Sequence, residues 1–145
     1  MIIREILTLK GPGEIYSISP EQSVAEAVRL MVQHDIGSLV VRGKDRMVGL
    51  VTERDVLRAM NEKGCDVSRL KVSELMTTEP IIGNPEDTVD YLRGVMTEHR
   101  ISHLPVVEGE SLLGIISFHD VAKACLKEAS FENRLLKRYI KNWPE

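Results

Sequence analysis

The stretch Gly49-Leu50-Val51-Thr52-Glu53-Arg54-Asp55 recurs 65 positions later as Gly114-Ile115-Ile116-Ser117-Phe118-His119-Asp120. In both segments an apolar strand pattern ends at a hydroxyl residue, and a carboxylate follows three positions later at the start of a helical pattern. The shift of 65 holds without a gap from residue 23 to residue 58, and 9 of these 36 positions are identical in the two copies. The chain therefore contains an internal repeat, which decides the fold.

Each copy predicts the element order strand, helix, strand, strand, helix. The first strand is expected at residues 14–18 and 80–82, and a helix follows the predicted N-caps Ser23 and Thr88. Two β-rich runs come next, at 36–41 and 47–51 in the first copy and at 101–107 and 112–116 in the second. We predict an α/β (α+β) fold in which two β-α-β-β-α units pack through their sheets as one module, because a unit of ~60 residues buries little surface alone. The expected boundaries are 1–65, 66–129, and a C-terminal helical tail, 130–145, with an amphipathic pattern from Ser130 to Ile140.

Composition excludes several classes of function. A net charge of -3 without blocks of like charge argues against a nucleic-acid partner. The two cysteines, Cys65 and Cys125, form no paired motif, which favours a reducing cytoplasm and no cysteine-based metal site. The sequence contains no apolar run of the ~18 residues that cross a bilayer, so we expect no membrane partner.

The Thr/Ser-x-x-Asp segments have two interpretations. As a capping box, the hydroxyl and the carboxylate would each accept a hydrogen bond from the other residue's backbone amide, and the short motif by itself favours this structural role. As a binding site, the helix N-terminus and the hydroxyl would bind phosphate, and the carboxylate would accept hydrogen bonds from ribose. Repetition does not decide between the two, because a repeated fold also repeats its caps.

The repeat, the strand-helix order and the glycine-apolar-apolar-Thr/Ser-x-x-Asp segment together resemble the cystathionine-β-synthase (CBS) domain, which occurs in tandem pairs. His103-Leu104-Pro105-Val106-Val107 is similar to the family's strand motif in the second copy, whereas the first copy has Ser38-Leu39-Val40-Val41 there. The resemblance implies a non-catalytic sensor that binds AMP, ADP, ATP, NAD(H) or S-adenosylmethionine between the copies. It implies a cytoplasmic homodimer acting on a separate protein target, with AMP as the first expectation for the bound nucleotide, NAD(H) or ATP as alternatives, and no required cofactor.

The resemblance also implies roles for individual residues. Asp55 and Asp120 would hold ribose, Thr52 and Ser117 would meet phosphate, and Arg54 would clamp phosphate through its guanidinium. The remaining expected nucleotide-binding residues border the adenine or the two pockets: Tyr16, Ser17, Ser38, Ile81, Ile82, His103, Pro105 and His119. Phe118-His119 and Ser102 depart from the family pattern, and these departures would narrow or retune the second site.

Two alternatives stay open at the level of sequence. In a ligand-free dimerisation scaffold, the four motif residues would serve only as caps. A nucleotide- or metal-dependent hydrolase is less well supported, because the sequence shows no nucleophile motif and no phosphate-binding glycine loop. His99 and His103 have a helical metal-ligand spacing, but His103 falls in a strand pattern, so we predict neither a metal site nor catalytic residues.

Overall fold

The computed structural model describes residues 1–11 and 13–139. Within these residues, its helices and strands follow the predicted order of a repeated mixed α/β unit with two differences: a helix at Ile3–Lys10 that the sequence pattern did not predict, and no first strand in the second copy. The elements are α1 (Ile3–Lys10), β1 (Ser17–Ile18), α2 (Val24–His34), β2 (Ser38–Gly43), β3 (Arg46–Thr52), α3 (Glu53–Lys63), a 3₁₀ turn (Val72–Glu74), α4 (Val89–His99), β4 (His103–Glu108), β5 (Ser111–Ser117) and α5 (Phe118–Tyr139).

The helices begin where local chemistry predicts. The Ser23 hydroxyl accepts the Glu26 amide proton at 3.1 Å, and the Thr88 hydroxyl accepts the Tyr91 amide proton at 3.1 Å. Both predicted N-caps are therefore confirmed. The faces that α2 and α4 bury are the apolar stripes of the sequence pattern, which include Val24, Ala27 and Met31 in α2 and Val89, Leu92 and Met96 in α4.

The strands form two small sheets. In the first, β1 pairs in parallel with β2, which pairs antiparallel with β3. In the second, β4 pairs antiparallel with β5. The four predicted β-rich runs thus form two hairpins, with bounds that differ from the prediction by one or two residues.

The second copy departs from the prediction at its first extended piece. Residues 80–82 form no strand, and a single bridge joins Gly83 to Val106 instead. The Gly83 amide donates to the Pro105 carbonyl, and the Gly83 carbonyl accepts the Val107 amide proton, both at 2.9 Å. Pairing does not extend back into residues 80–82, because Pro105 occupies the position of Val40 in the first copy. The Val40 amide donates to the Tyr16 carbonyl, whereas Pro105 has no N–H for the corresponding bond.

Each hydrophobic core contains a segment from the other half of the sequence. Ile3 and Ile6 of α1 are buried with α4, β4, β5 and α5 of the second copy, whereas Val72 is buried with α2, β2 and β3 of the first. Backbone hydrogen bonds just before each exchanged segment also connect it to the other copy: the Val89 amide donates to the Met1 carbonyl, and the Val24 amide donates to the Leu70 carbonyl. Residues 3–7 and 72–76, the lead-in segments that precede the first extended piece of each repeat, are therefore exchanged between the two packed units.

The predicted tail continues α5 without a break as far as Tyr139. Ile140 and the rest of the tail, as well as the apolar side chains of the amphipathic pattern from Phe131 onward, lie outside the described residues. No helix in the described part of the chain combines the length and the apolar character needed to cross a membrane.

Candidate functional site

The first Thr-x-x-Asp segment forms a complete capping box at the start of α3. The Thr52 amide donates to Asp55 Oδ2 at 2.9 Å, and the Asp55 amide donates to Thr52 Oγ1 at 3.3 Å. The other carboxylate oxygen, Oδ1, accepts a long hydrogen bond of 3.4 Å from the Thr77 hydroxyl. Asp55 is 8% exposed and is one of only two buried polar or charged residues identified in the described part of the chain.

The second segment forms the same box at the start of α5. The Ser117 amide donates to Asp120 Oδ2 at 2.9 Å, and the Asp120 amide donates to the Ser117 hydroxyl at 3.1 Å. The structural interpretation of the motif is thus correct in both copies, and the shorter aspartate still completes the box. The capping role does not exclude a binding function, because each of the two carboxylates also borders its own cleft between the copies.

The first cleft opens between the start of α3 and the end of α4 and has a volume of about 850 Å³. Its charged lining consists of three arginines and four acidic residues: Arg54, Arg58, Arg100, Asp35, Glu53, Asp55 and Glu79. Its apolar lining includes Met31 of α2 and Ile81 of the linker before α4. The volume lies within the ~300–1,000 Å³ typical of small-molecule sites.

The second cleft lies at the start of α5 and has a volume of about 930 Å³. Asp120 lines it together with Lys10 at the end of α1 and Tyr16 just before β1. The Tyr16 ring stacks on His34, with centroids 3.9 Å apart. The two clefts are repeat-related, but their cations differ in number and kind.

Most of the sequence-predicted site residues line these clefts. Thr52, Arg54, Asp55 and Ile81 line the first; Tyr16, Ser38, Ser117, His119 and Asp120 line the second; and His103 lines both. The extended piece of each copy therefore lies beside the aspartate of the other copy. Three of the expected residues line neither cleft: Ser17, which is exposed in β1; Ile82, which is 52% exposed; and Pro105, which is buried in β4.

Several cleft residues are absent from the sequence prediction. Thr77 reaches Asp55 across 22 positions, and Lys10 reaches Asp120 across 110. Arg58 lies one helical turn after Arg54, so helical spacing alone could have suggested it. Arg100 and Lys10 carried no comparable signal, because their positions depend on how the two copies pack.

Opposing effects set the protonation of Asp120. Burial disfavours its charged form, but the hydrogen bonds from Lys10 and Ser117 outweigh burial and hold the pKa of Asp120 below its usual range. The carboxylate is therefore ionised at neutral pH and able to accept hydrogen bonds.

His103 lies between the clefts, against Gly37. A Cβ added at Gly37 would lie 2.8 Å from His103 Cε1, so only glycine leaves room for this ring. Burial lowers the pKa of His103; Lys10 acts in the same direction, whereas Glu53 and Asp120 oppose the shift. The imidazole is thus neutral at pH 7.

This lowered pKa predicts a pH-dependent stability. The unfolded chain takes up the proton near pH 6.5 and the folded chain at a lower pH, so acidification below about 6.5 should favour unfolding. We expect the wild-type protein to lose more free energy of unfolding between pH 7 and pH 5 than a His103→Gln variant does, as measured by urea unfolding at each pH. A constant difference between the two proteins over this range would contradict the burial of the ring.

Among residues 1–11 and 13–139, no group of three or more His, Cys, Asp or Glu side chains has the geometry to hold a metal ion. Each cleft instead brings carboxylate acceptors together with cationic and apolar residues. A carboxylate accepts hydrogen bonds from hydroxyl groups, and a guanidinium or ammonium group pairs with an anion.

Comparison with known proteins agrees with the repeat. The model of the CBS domain matches the chain twice, at residues 4–62 and 72–127. The chain is 34% identical over 109 residues to the CBS domain-containing protein YhcV of Bacillus subtilis, which covers 75% of this chain and 77% of that protein. The crystal structure of the CBS-domain containing protein ATU1752 from Agrobacterium tumefaciens matches with a TM-score of 0.80 at 35% identity, covering 85% of this chain and 92% of that one.

An enzyme is also among the similar proteins. The chain is 40% identical over 121 residues to the inosine-5'-monophosphate dehydrogenase of Korarchaeum cryptofilum. This match covers 83% of the chain but only 22% of the dehydrogenase. The likeness therefore concerns a small part of that enzyme and does not assign its activity to this chain.

Proposed function

The chain belongs to the CBS domain family as a tandem pair of CBS domains, and from this premise we propose that it is a regulatory module that binds an adenine nucleotide and catalyses no reaction. One observation carries the proposal: the buried Asp55 lines the same cleft as three arginines, Arg54, Arg58 and Arg100. A nucleotide offers the complementary groups, since its ribose hydroxyls donate hydrogen bonds and its phosphate is an anion.

The first cleft supplies a partner for each part of such a ligand. Asp55 Oδ1 accepts only a long bond from Thr77 within the described chain, so it is available to a ribose hydroxyl. The amides of Thr52, Glu53 and Asp55 at the start of α3 already donate within the chain. The partners that the cleft offers to phosphate are therefore its arginines. Met31 and Ile81 provide an apolar wall against which an adenine ring can pack.

AMP is the ligand we propose first, with NAD(H) or ATP as alternatives. All three carry the adenosine and phosphate groups to which the first cleft is complementary. The three arginines that line the cleft offer the phosphate cationic partners, beside four acidic residues in the same lining. No further cofactor is part of the proposal.

A ligand-free scaffold remains the second candidate, because both capping boxes are complete without any ligand. In that case the clefts would be a consequence of packing two repeats together. The two candidates differ in one measurable property, which is the response of stability to nucleotide.

We further propose that the module is a cytoplasmic homodimer that acts on a separate protein target. Val32 of α2 is 76% exposed and Leu57 of α3 is 65% exposed, and both lie at the rim of the first cleft. A second copy that covers these side chains would remove apolar surface from water. Such an interface would also border the ligand, which gives nucleotide binding a route to alter assembly.

A thermal melt tests the proposed function directly. At ~100 times its dissociation constant, a nucleotide should stabilise the fold by about 2.7 kcal/mol, which corresponds to a shift of several degrees. The panel is AMP, ADP, ATP, NADH and S-adenosylmethionine, and 2'-deoxy-AMP is the matched ligand that lacks one ribose hydroxyl. We expect AMP to raise the melting temperature and 2'-deoxy-AMP to raise it less.

The opposite result favours the scaffold. If no nucleotide moves the transition at millimolar concentration, and mass spectrometry finds none bound to the purified protein, nucleotide binding must be abandoned. Incubation with ATP provides the test for catalysis, since release of phosphate above the buffer rate would contradict a non-catalytic module.

A further inference from the structure

Lys10 makes a contact that the capping box of the second copy does not require. Its ammonium group donates to Asp120 Oδ2 at 2.8 Å and to the carbonyl oxygen of Ile115 at 2.7 Å. Lys10 ends α1, and Ile3 and Ile6 anchor this helix in the second core with exposures of 1% and 2%. The cation is therefore held beside the carboxylate by the fold.

The two aspartates differ because of this contact. Asp55 Oδ2 accepts hydrogen bonds from the amide and the hydroxyl of Thr52, and among the described residues no cation forms an ion pair with Asp55. Asp120 Oδ2 instead accepts from the Ser117 amide and from Lys10. Of the two side chains in the ion pair, Lys10 is 43% exposed and Asp120 is 16% exposed.

The repeat shows what occupies the corresponding place in the first cleft. The lead-in segments align at a shift of 69, so that Leu7 corresponds to Met76; these two side chains pack against the equivalent glycines, Gly114 and Gly49. At the same shift Lys10 corresponds to Glu79, which lines the first cleft. A cation beside one aspartate is thus replaced by an anion near the other.

We propose that Lys10 competes with the ligand for Asp120, and that this competition makes the second cleft a weaker nucleoside site than it would otherwise be. Lys10 shares Oδ2 of Asp120 with the Ser117 amide, so ribose hydroxyls would donate to Oδ1 of a carboxylate whose negative charge the ammonium group already offsets, and their hydrogen bonds would be weaker. At Asp55 they meet no such competitor. The proposal rests on the proposed function, because it concerns the ligand of the same kind of cleft.

Isothermal titration of adenosine tests the competition, since adenosine carries the ribose but no phosphate. The titration uses the full chain with Asp55→Asn, which removes the charged acceptor of the first cleft, with and without Lys10→Met. We expect Lys10→Met to tighten adenosine binding about twofold to fivefold, which corresponds to the ~0.4–1 kcal/mol typical of a partly exposed ion pair. Lys71→Met, which removes the exposed Lys71–Glu21 pair, is the matched control and should leave the affinity unchanged.

Each other outcome is decisive. If the protein binds AMP or adenosine and Lys10→Met does not tighten adenosine binding, the competitor role is wrong while the proposed function stands. If Lys10→Met weakens AMP but not adenosine, Lys10 is a phosphate ligand and the competitor role is again wrong. If neither the wild type nor any variant binds AMP or adenosine, the proposed function itself fails, and this inference fails with it.

Discussion

Replacement of Asp55 by asparagine is expected to weaken AMP binding about tenfold to a hundredfold. Hydrogen bonds to a charged group contribute ~1.5–3 kcal/mol, and each 1.4 kcal/mol changes the dissociation constant tenfold. Asparagine keeps one carbonyl oxygen for the Thr52 amide, so α3 retains that capping contact. The variant therefore removes the negative charge that strengthens the hydrogen bonds from ribose, but it keeps the capping hydrogen bond of α3. Its free energy of unfolding should stay within ~1 kcal/mol of the wild-type value.

The repeat provides the matched control for this variant. Asp120→Asn makes the same chemical change at the start of α5, in the second cleft. Isothermal titration of AMP should show the large loss of affinity only for Asp55→Asn. Equal affinities for the wild type and Asp55→Asn would show that Asp55 is only a capping residue, and equal losses in both variants would contradict the preference for the first cleft.

Replacement of Gly49 by alanine is expected to destabilise the fold by about 2 kcal/mol. A Cβ at Gly49 would lie 2.8 Å from the carbonyl oxygen of Thr77 and 3.0 Å from Met76 Sδ. The Thr77 carbonyl cannot easily move, because it accepts the Leu50 amide proton at 2.9 Å while the Thr77 amide donates back to Leu50 at 2.8 Å. Overpacking of this kind typically costs ~1–3 kcal/mol.

Gly114→Ala is the matched control for the glycine variant. A Cβ at Gly114 would meet only the end of the flexible Leu7 side chain, at 3.0 Å. Its strain is therefore small, and the reduced freedom of the unfolded chain offsets part of it. Urea unfolding followed by circular dichroism should give a loss below ~1 kcal/mol for Gly114→Ala. Equal losses for the two variants would contradict the tight contact between β3 and Thr77.

Features that depend on neighbouring residues could be predicted from the sequence. Ser23 and Thr88 were identified as N-caps because a hydroxyl before an amphipathic run acts within one helical turn. The starts of α3 and α5 followed from the same local spacing. The Thr-x-x-Asp motif left a cap and a ligand-binding carboxylate as alternative interpretations, and the structure shows that Asp55 caps α3 and also lines the first cleft.

Features that depend on packing between the copies could not be predicted. The contact of Lys10 with Asp120 spans 110 positions, and no local pattern indicates it. Likewise, the sequence repeat assigns α1 to the first copy, whereas tertiary packing places Ile3 in the core of the second. Residues 80–82 have the composition of a strand, but Pro105 on the neighbouring strand has no N–H to donate to them, and pairing is limited to the bridge at Gly83.

Because the lead-in segments are exchanged, the unit that is repeated in the sequence differs from the unit that packs around one hydrophobic core. A fragment that ends at residue 65 would keep Ile3 and Ile6 but lose the partners that bury them, and it would also lose Val72 from its own core. The corresponding fragment from residue 66 would lack α1 while carrying Val72 without its partners. The halves are thus thermodynamically coupled, and the chain should unfold in one cooperative transition despite its two repeats. The hydrogen bond between Met1 and Val89 can form only when most of the chain is present. The native core is therefore completed only after the second repeat has been synthesised.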